Sequence, residues 1–216
     1  HYICYNQPLK QFTMETKKLD FAATLRDAIY IGVKNAPSII AALVLFLITI
    51  WIPYLNIGTF IAITLLPTQL AKGEVINPVG IFDSKYRRYM GEFFITMGLM
   101  IFPILIATLF LYVPGIVLSL AWSLAYYFLI EKGKNPIQAI KASNDATYGS
   151  KWIMFFIMLV VGVVFGVVFG IFSAICSLIN VGFITFIVMF VLIVLALSIS
   201  MAVNASIWKQ LKDNVE

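Results

Sequence analysis

Few side chains here are capable of acid–base, nucleophilic or metal chemistry, and they do not cluster. The only histidine is His1. A Ser–His or Cys–His nucleophile pair needs an imidazole within reach, and so does a histidine-based metal site, so neither is expected. Cys4 and Cys176 lie far apart in sequence. They read as ordinary small residues rather than a disulfide framework or a metal cluster. What remains are mild polar groups inside apolar stretches: Thr49, Thr64, Thr96, Thr108, Ser119, Ser123, Ser198, Ser200 and Asn204. Such groups bond their own helix backbone or a neighbouring helix. Ser200 and Asn204 are one helical turn apart and form the candidate polar site at membrane depth, with interhelical packing as the competing reading. No residue set points to a cofactor or a metal, and the chain is expected not to be an enzyme.

The basic residues offer a second kind of chemistry. Lys85, Arg87 and Arg88 are close enough to attract anionic lipid headgroups, although plain positive-inside topology is the favoured account of them. The basic patches are short and mixed with acids, so nucleic acid is not an expected partner.

The elements that carry these residues follow from composition. Of 216 residues, 62% are hydrophobic and 12% charged, with mean hydropathy +0.98. Soluble domains carry about a quarter charged residues. A water-facing globule and a disordered chain are both excluded, and the lipid bilayer is the natural solvent. The first long apolar run starts only near Ser38, so no cleavable signal peptide is visible, and the leading His1 suggests an N-terminus that is processed or not included.

Apolar residues fall into three long blocks, each broken once by turn residues. The breaks are Pro53–Gly58, Tyr112–Gly115 and Ser177–Gly182. A span needs about 20 apolar residues, and each block exceeds one crossing. The fold class expected is therefore all-α: a polytopic helical membrane protein with six transmembrane helices in three hairpins. The first hairpin has short arms and carries Pro53 and Pro67, so a re-entrant or half-depth pair is the alternative there.

All 15 basic and all 10 acidic residues fall outside the blocks and on one side of this scheme. The positive-inside rule then puts both termini and both long connections in the cytoplasm.

Each hairpin is preceded by a charged stretch with helical periodicity, expected to form an amphipathic helix in the interface with its apolar face toward the acyl chains or the bundle; Phe82, Tyr86, Tyr89, Lys85, Arg87, Arg88 and Trp152 are the expected lipid or partner contacts. The second stretch carries an aromatic stripe, Phe82, Tyr86, Tyr89 and Phe93, with Asp83–Arg87 and Arg88–Glu92 spaced for ion pairs. Asn77-Pro78-Val79 matches Asn135-Pro136-Ile137, and Gly91 matches Gly149, at one constant offset. Asn caps helices and Pro fits their first turn, so the two units open alike. The first unit fits this pattern only loosely; the expected organisation is a threefold repeat, with units 19–71, 77–131 and 135–208 after a cytoplasmic segment 1–18, and the alternative is an array of short amphipathic helices alike by chance. Trp152 enters the membrane at the third unit, and Trp208, Tyr126 and Tyr127 are expected in the same aromatic belt. Trp51 and Tyr54 fit the opposite one. Gly162, Gly166, Gly170 and Ala174 recur every fourth residue, forming a groove where another helix can approach closely. Its partner is a helix of this chain, a second copy, or a different membrane protein.

Pro114-Gly115-Ile116, Glu131, Asn135-Pro136, Ala139-Ile140, Ser143, Gly149 and Lys151-Trp152 together resemble a group of bacterial polytopic membrane proteins. That group includes the membrane domain attached to some glycerophosphoryl diester phosphodiesterases. The resemblance covers the middle third of the chain. It implies a helical membrane fold in a bacterial cytoplasmic (inner) membrane, without an established activity, and the attached domain's enzyme activity is not carried over. The expected role is an accessory or structural subunit of a membrane complex, or a bilayer-organising protein. Its expected partners are the lipid bilayer and another membrane protein or itself. A transporter or lipid-handling protein with a cavity between hairpins is the alternative.

Overall fold

In a computed structural model, which describes residues 17–179 and 182–215, all regular elements among the described residues are helical. The expectations for His1, Cys4 and Lys10, and for Asn180 and Val181 at the third hairpin tip, lie outside those residues. Helix α1 runs Phe21–Thr49, α2 Leu55–Thr64 and α3 Leu66–Leu70. A 3-10 turn at Pro78–Phe82 leads into α4, Ser84–Arg88, and then α5, Met90–Phe110. Helices α6, Tyr112–Ala121, and α7, Ala125–Glu131, make the return arm. Helix α8, Pro136–Ala146, precedes the long pair α9, Lys151–Ile179, and α10, Gly182–Leu211.

Five stretches are long and apolar enough to cross a membrane: α1, α5, α6 with α7, α9 and α10. The sixth expected span is not one continuous helix. Its residues form α2 and α3, separated at Leu65. Pro67 stands in the first turn of α3 and has no N–H to continue the α2 ladder. At about 1.5 Å per residue, α2 spans roughly 15 Å, half the hydrocarbon thickness.

Two of the three expected interfacial helices also differ. The first is not separate, because Asp20 accepts the Ala23 N–H at 3.0 Å and the helix it opens continues through Pro37 to Thr49. The second divides into the 3-10 turn and the five-residue α4. Only α8 stands as a distinct helix of some length. Asn77 and Asn135 do cap, accepting the N–H groups of Val79 and Gln138. Gly149 takes a positive φ of 77° ahead of α9, whereas Gly91 lies within α5, so the two units open alike and then diverge.

Helix α1 lies antiparallel against α10. Thr24 accepts from Gln210 at 2.9 Å near one end, and Gly32 meets the Ile199 backbone further along. The core gathers where α1, α3, α4, α7, α8 and the C-terminal half of α10 converge, with Leu65, Leu66, Tyr86, Phe128, Met154 and Trp208 all buried. The broken arm between α6 and α7 joins this core. Its freed backbone groups are met by α8: the Ser143 hydroxyl donates to Ala121 O at 2.7 Å and accepts from Leu124 N at 3.1 Å. Non-helical backbone at such a depth persists only where protein groups satisfy it. Beyond Ile157, one side of α9 is exposed, including Val163, Val167 and Ile171, while Val161, Phe165 and Phe169 are half-buried and Cys176 is buried.

Candidate functional site

The aromatic stripe is turned inward. Asp83 accepts the Lys85 N–H at 2.9 Å and starts α4. That places Tyr86 in the core at 1% exposure, its hydroxyl accepting from Gln69 Nε2 of α3 at 2.6 Å. Burial pushes the Tyr86 phenol above its ordinary value, partly opposed by Lys85. Phe93 stacks on Tyr126 at 4.6 Å and meets Phe60 edge-on at 5.9 Å. Phe82 and Tyr89 are half-buried against the same core. A stripe at helical spacing is satisfied by protein as well as by acyl chains, so periodicity does not choose between them.

The charged side of α4 keeps Lys85 and Arg88 exposed. Arg87 is half-buried: Nη1 donates to Phe82 O at 3.4 Å, and the guanidinium lies 5.9 Å from the centre of the Tyr54 ring. A Cβ added to Gly58 would come within 2.6 Å of Arg87 Cγ. The first hairpin's tip therefore touches the charged connection that precedes the second hairpin. Neither Asp83–Arg87 nor Arg88–Glu92 closes into an ion pair. The ion pairs among the described residues are Lys209–Asp27 at 3.5 Å and Lys132–Asp213 at 4.0 Å. The Asp83 carboxylate is engaged by its own helix start instead.

The expected cytoplasmic belt separates into two environments. Trp152 is exposed beside Phe155 and Phe156. It borders an apolar groove of about 390 Å³ between α6 and α9, with Val113, Val117, Leu120, Phe155 and Lys151 around it. Trp208 is not a belt residue. It is 4% exposed and packed between the rings of Tyr127 at 5.5 Å and Phe128 at 4.9 Å.

Gly162, Gly166, Gly170 and Ala174 all lie on the exposed length of α9. A Cβ built on any of the three glycines meets nothing within 4 Å. The close approach that small residues permit is made elsewhere, at Gly32. There an added Cβ would come within 3.0 Å of Ile199 Cα and 3.2 Å of its nitrogen. Nothing in the sequence separates Gly32 from other glycines except its place on the apolar face of α1, beside Ala28 and Ala36.

Ser200 and Asn204 do come together, and Gly162 joins them. They line a groove of about 430 Å³ between α9 and α10, with Phe165 and Val203. The Asn204 amide donates to Ser200 O at 3.0 Å, a bond within its own helix. Ser198, fully buried nearby in the sequence, has a hydroxyl without a hydrogen-bond partner among the described residues.

A polar recess of about 240 Å³ had no counterpart among the expected sites. Thr68, Ala71 and Lys72 line it from the end of the first unit, Glu131 and Lys132 from the end of the second, and Trp208 and Lys212 from the third. The signal available in the sequence was positional: a lysine follows each hairpin directly or within one turn.

Compared with known proteins, the chain matches no family model, no curated protein and no solved structure.

Proposed function

We propose that this chain is a non-enzymatic accessory subunit of a membrane complex, which uses the exposed side of α9 to receive a helix of another polypeptide. The supporting observation is on the small-residue face of α9: a Cβ built on Gly166 or Gly170 meets no atom of the described residues within 4 Å. Helices associate in lipid by close packing at small residues rather than by hydrophobicity, so a glycine row beside Val163 and Val167 suits such a contact. Gly166→Leu tests it. The added side chain enters open space within the chain, so the protein should fold as before and lose its partner on purification in mild detergent. Unchanged co-purification would remove the proposal. A second reading, a lipid-handling protein, is favoured by the apolar groove between α6 and α9; solute or lipid transfer abolished by Trp152→Ala would support it over the first.

The topology belongs to the same proposal. With every charge on one side, the number of crossings is even, while five helices are long enough to cross. An arginine at the bilayer centre costs about 2.5–3.5 kcal/mol on insertion scales, so Arg87 and the Tyr54 tip beside it belong at the charged interface. The reading is a first hairpin that dips into the bilayer and returns, with four full crossings by the other two. Both termini then face the cytoplasm of a bacterial inner membrane by the positive-inside rule.

A further inference from the structure

We infer that the recess at the ends of the three units binds a phosphate group. Three lysines from three separate segments, Lys72, Lys132 and Lys212, converge on one cavity of about 240 Å³. Each stands just past a helix C-terminus, where a cation is favoured; that accounts for one lysine per helix, and not for their meeting around a common space. Lys72 and Lys212 form no ion pair among the described residues. Lys132 reaches Asp213 only at 4.0 Å, and that carboxylate is 76% exposed. Glu131 is held by the Thr68 hydroxyl at 3.0 Å. One positive charge is left in excess, on ammonium groups that each carry three donors. Trp208, 4% exposed, lines the wall as well and carries an indole N–H donor. Its lining is mostly polar, which suits a headgroup rather than an acyl chain, unlike the apolar grooves elsewhere on the molecule. Clustered lysines between helices on the charged face are the chemistry that holds anionic headgroups. This site shares no residue with the α9 surface, so it stands or falls separately from the accessory role.

The experiment uses the full chain in phosphatidylcholine nanodiscs and follows thermal unfolding. Inorganic phosphate is titrated in solution in one arm, and phosphatidylglycerol is incorporated into the disc in the other. Saturable stabilisation by either probe supports the site. Saturation by phosphate alone identifies a soluble phosphate compound, and saturation only by phosphatidylglycerol identifies a lipid headgroup. Each of Lys72→Gln, Lys132→Gln and Lys212→Gln should raise the half-saturation point about tenfold, the loss of one charge-assisted hydrogen bond. Trp208→Phe keeps the ring packing and should weaken binding without unfolding the protein. An equal loss of net charge by Arg26→Gln, Lys34→Gln and Lys141→Gln, at exposed positions away from the recess, should leave the response intact. No stabilisation by either probe, an unchanged response when Lys72→Gln, Lys132→Gln and Lys212→Gln are combined, or an equal loss in the control triple would overturn the inference.

Discussion

Replacing Gly32 with alanine separates the glycine that packs from the glycines that face outward. An added Cβ at Gly32 lies 3.0 Å from Ile199 Cα and 3.2 Å from its nitrogen, so α1 and α10 must part by several tenths of an ångström. Overpacking of this kind costs about 1–3 kcal/mol. Alanine also gains about 1 kcal/mol over glycine within a helix, which hides part of that cost. Gly166→Ala carries the same propensity gain, and its Cβ meets nothing within 4 Å. The difference between the two variants cancels propensity and leaves the packing cost of about 1–3 kcal/mol. With about 2–4 °C per kcal/mol for a chain of this size, Gly32→Ala should unfold roughly 2–12 °C below Gly166→Ala in the same detergent. Equal unfolding temperatures would refute close backbone contact between α1 and α10, and with it the antiparallel pairing on which the core is built.

Three further outcomes follow from the same structure. Gly115→Ala should destabilise the second hairpin by about 1–3 kcal/mol, since its Cβ would press on Thr108, whose Cα lies 3.0 Å away; a limited-proteolysis comparison with wild type measures it. Asn35 is 2% exposed, donates to Ile31 O at 3.0 Å and accepts from Ile76 N at 3.1 Å. Asn35→Leu should therefore cost about 1–3 kcal/mol and speed amide exchange at Ile76. The Tyr86 phenol is raised by burial, so its contribution to stability is complete below the ordinary tyrosine value of about 10 and is lost as pH climbs through the folded-state value. Alkaline unfolding of Tyr86→Phe should accordingly show a weaker pH dependence than wild type.

Too few charges for a water-facing surface and long apolar runs without alternation pointed to a helical membrane class, and five helices are long and apolar enough to cross a membrane. Local chemistry was legible in part: Asn77 and Asn135 cap as their types require, but the second hairpin turns at Leu111, and Pro114-Gly115, read as the turn, lies in the first turns of α6. Placement of apolar faces was not. Lipid and protein interior both accept apolar side chains, so the sequence left the stripe of Phe82, Tyr86 and Tyr89 open between acyl chains and the bundle, and the structure puts Tyr86 in the core. The same ambiguity put Trp208 in a belt and turned attention to Gly162, Gly166 and Gly170 rather than to Gly32. The contact of Arg87 with Tyr54 joins residues assigned to opposite faces, a long-range fact that no local pattern carries. The lysine recess was hidden for the same reason, since its residues belong to three segments remote in sequence.

The accessory role rests on a second polypeptide lying along α9, and in-membrane photo-crosslinking tests this directly. Photoreactive residues at Val163 and Val167, both exposed beside the glycine row, should form adducts with one discrete protein in native membranes. The same probes at Phe186 and Phe190, exposed on α10, should label lipid. Lipid adducts alone at Val163 and Val167 would contradict the account.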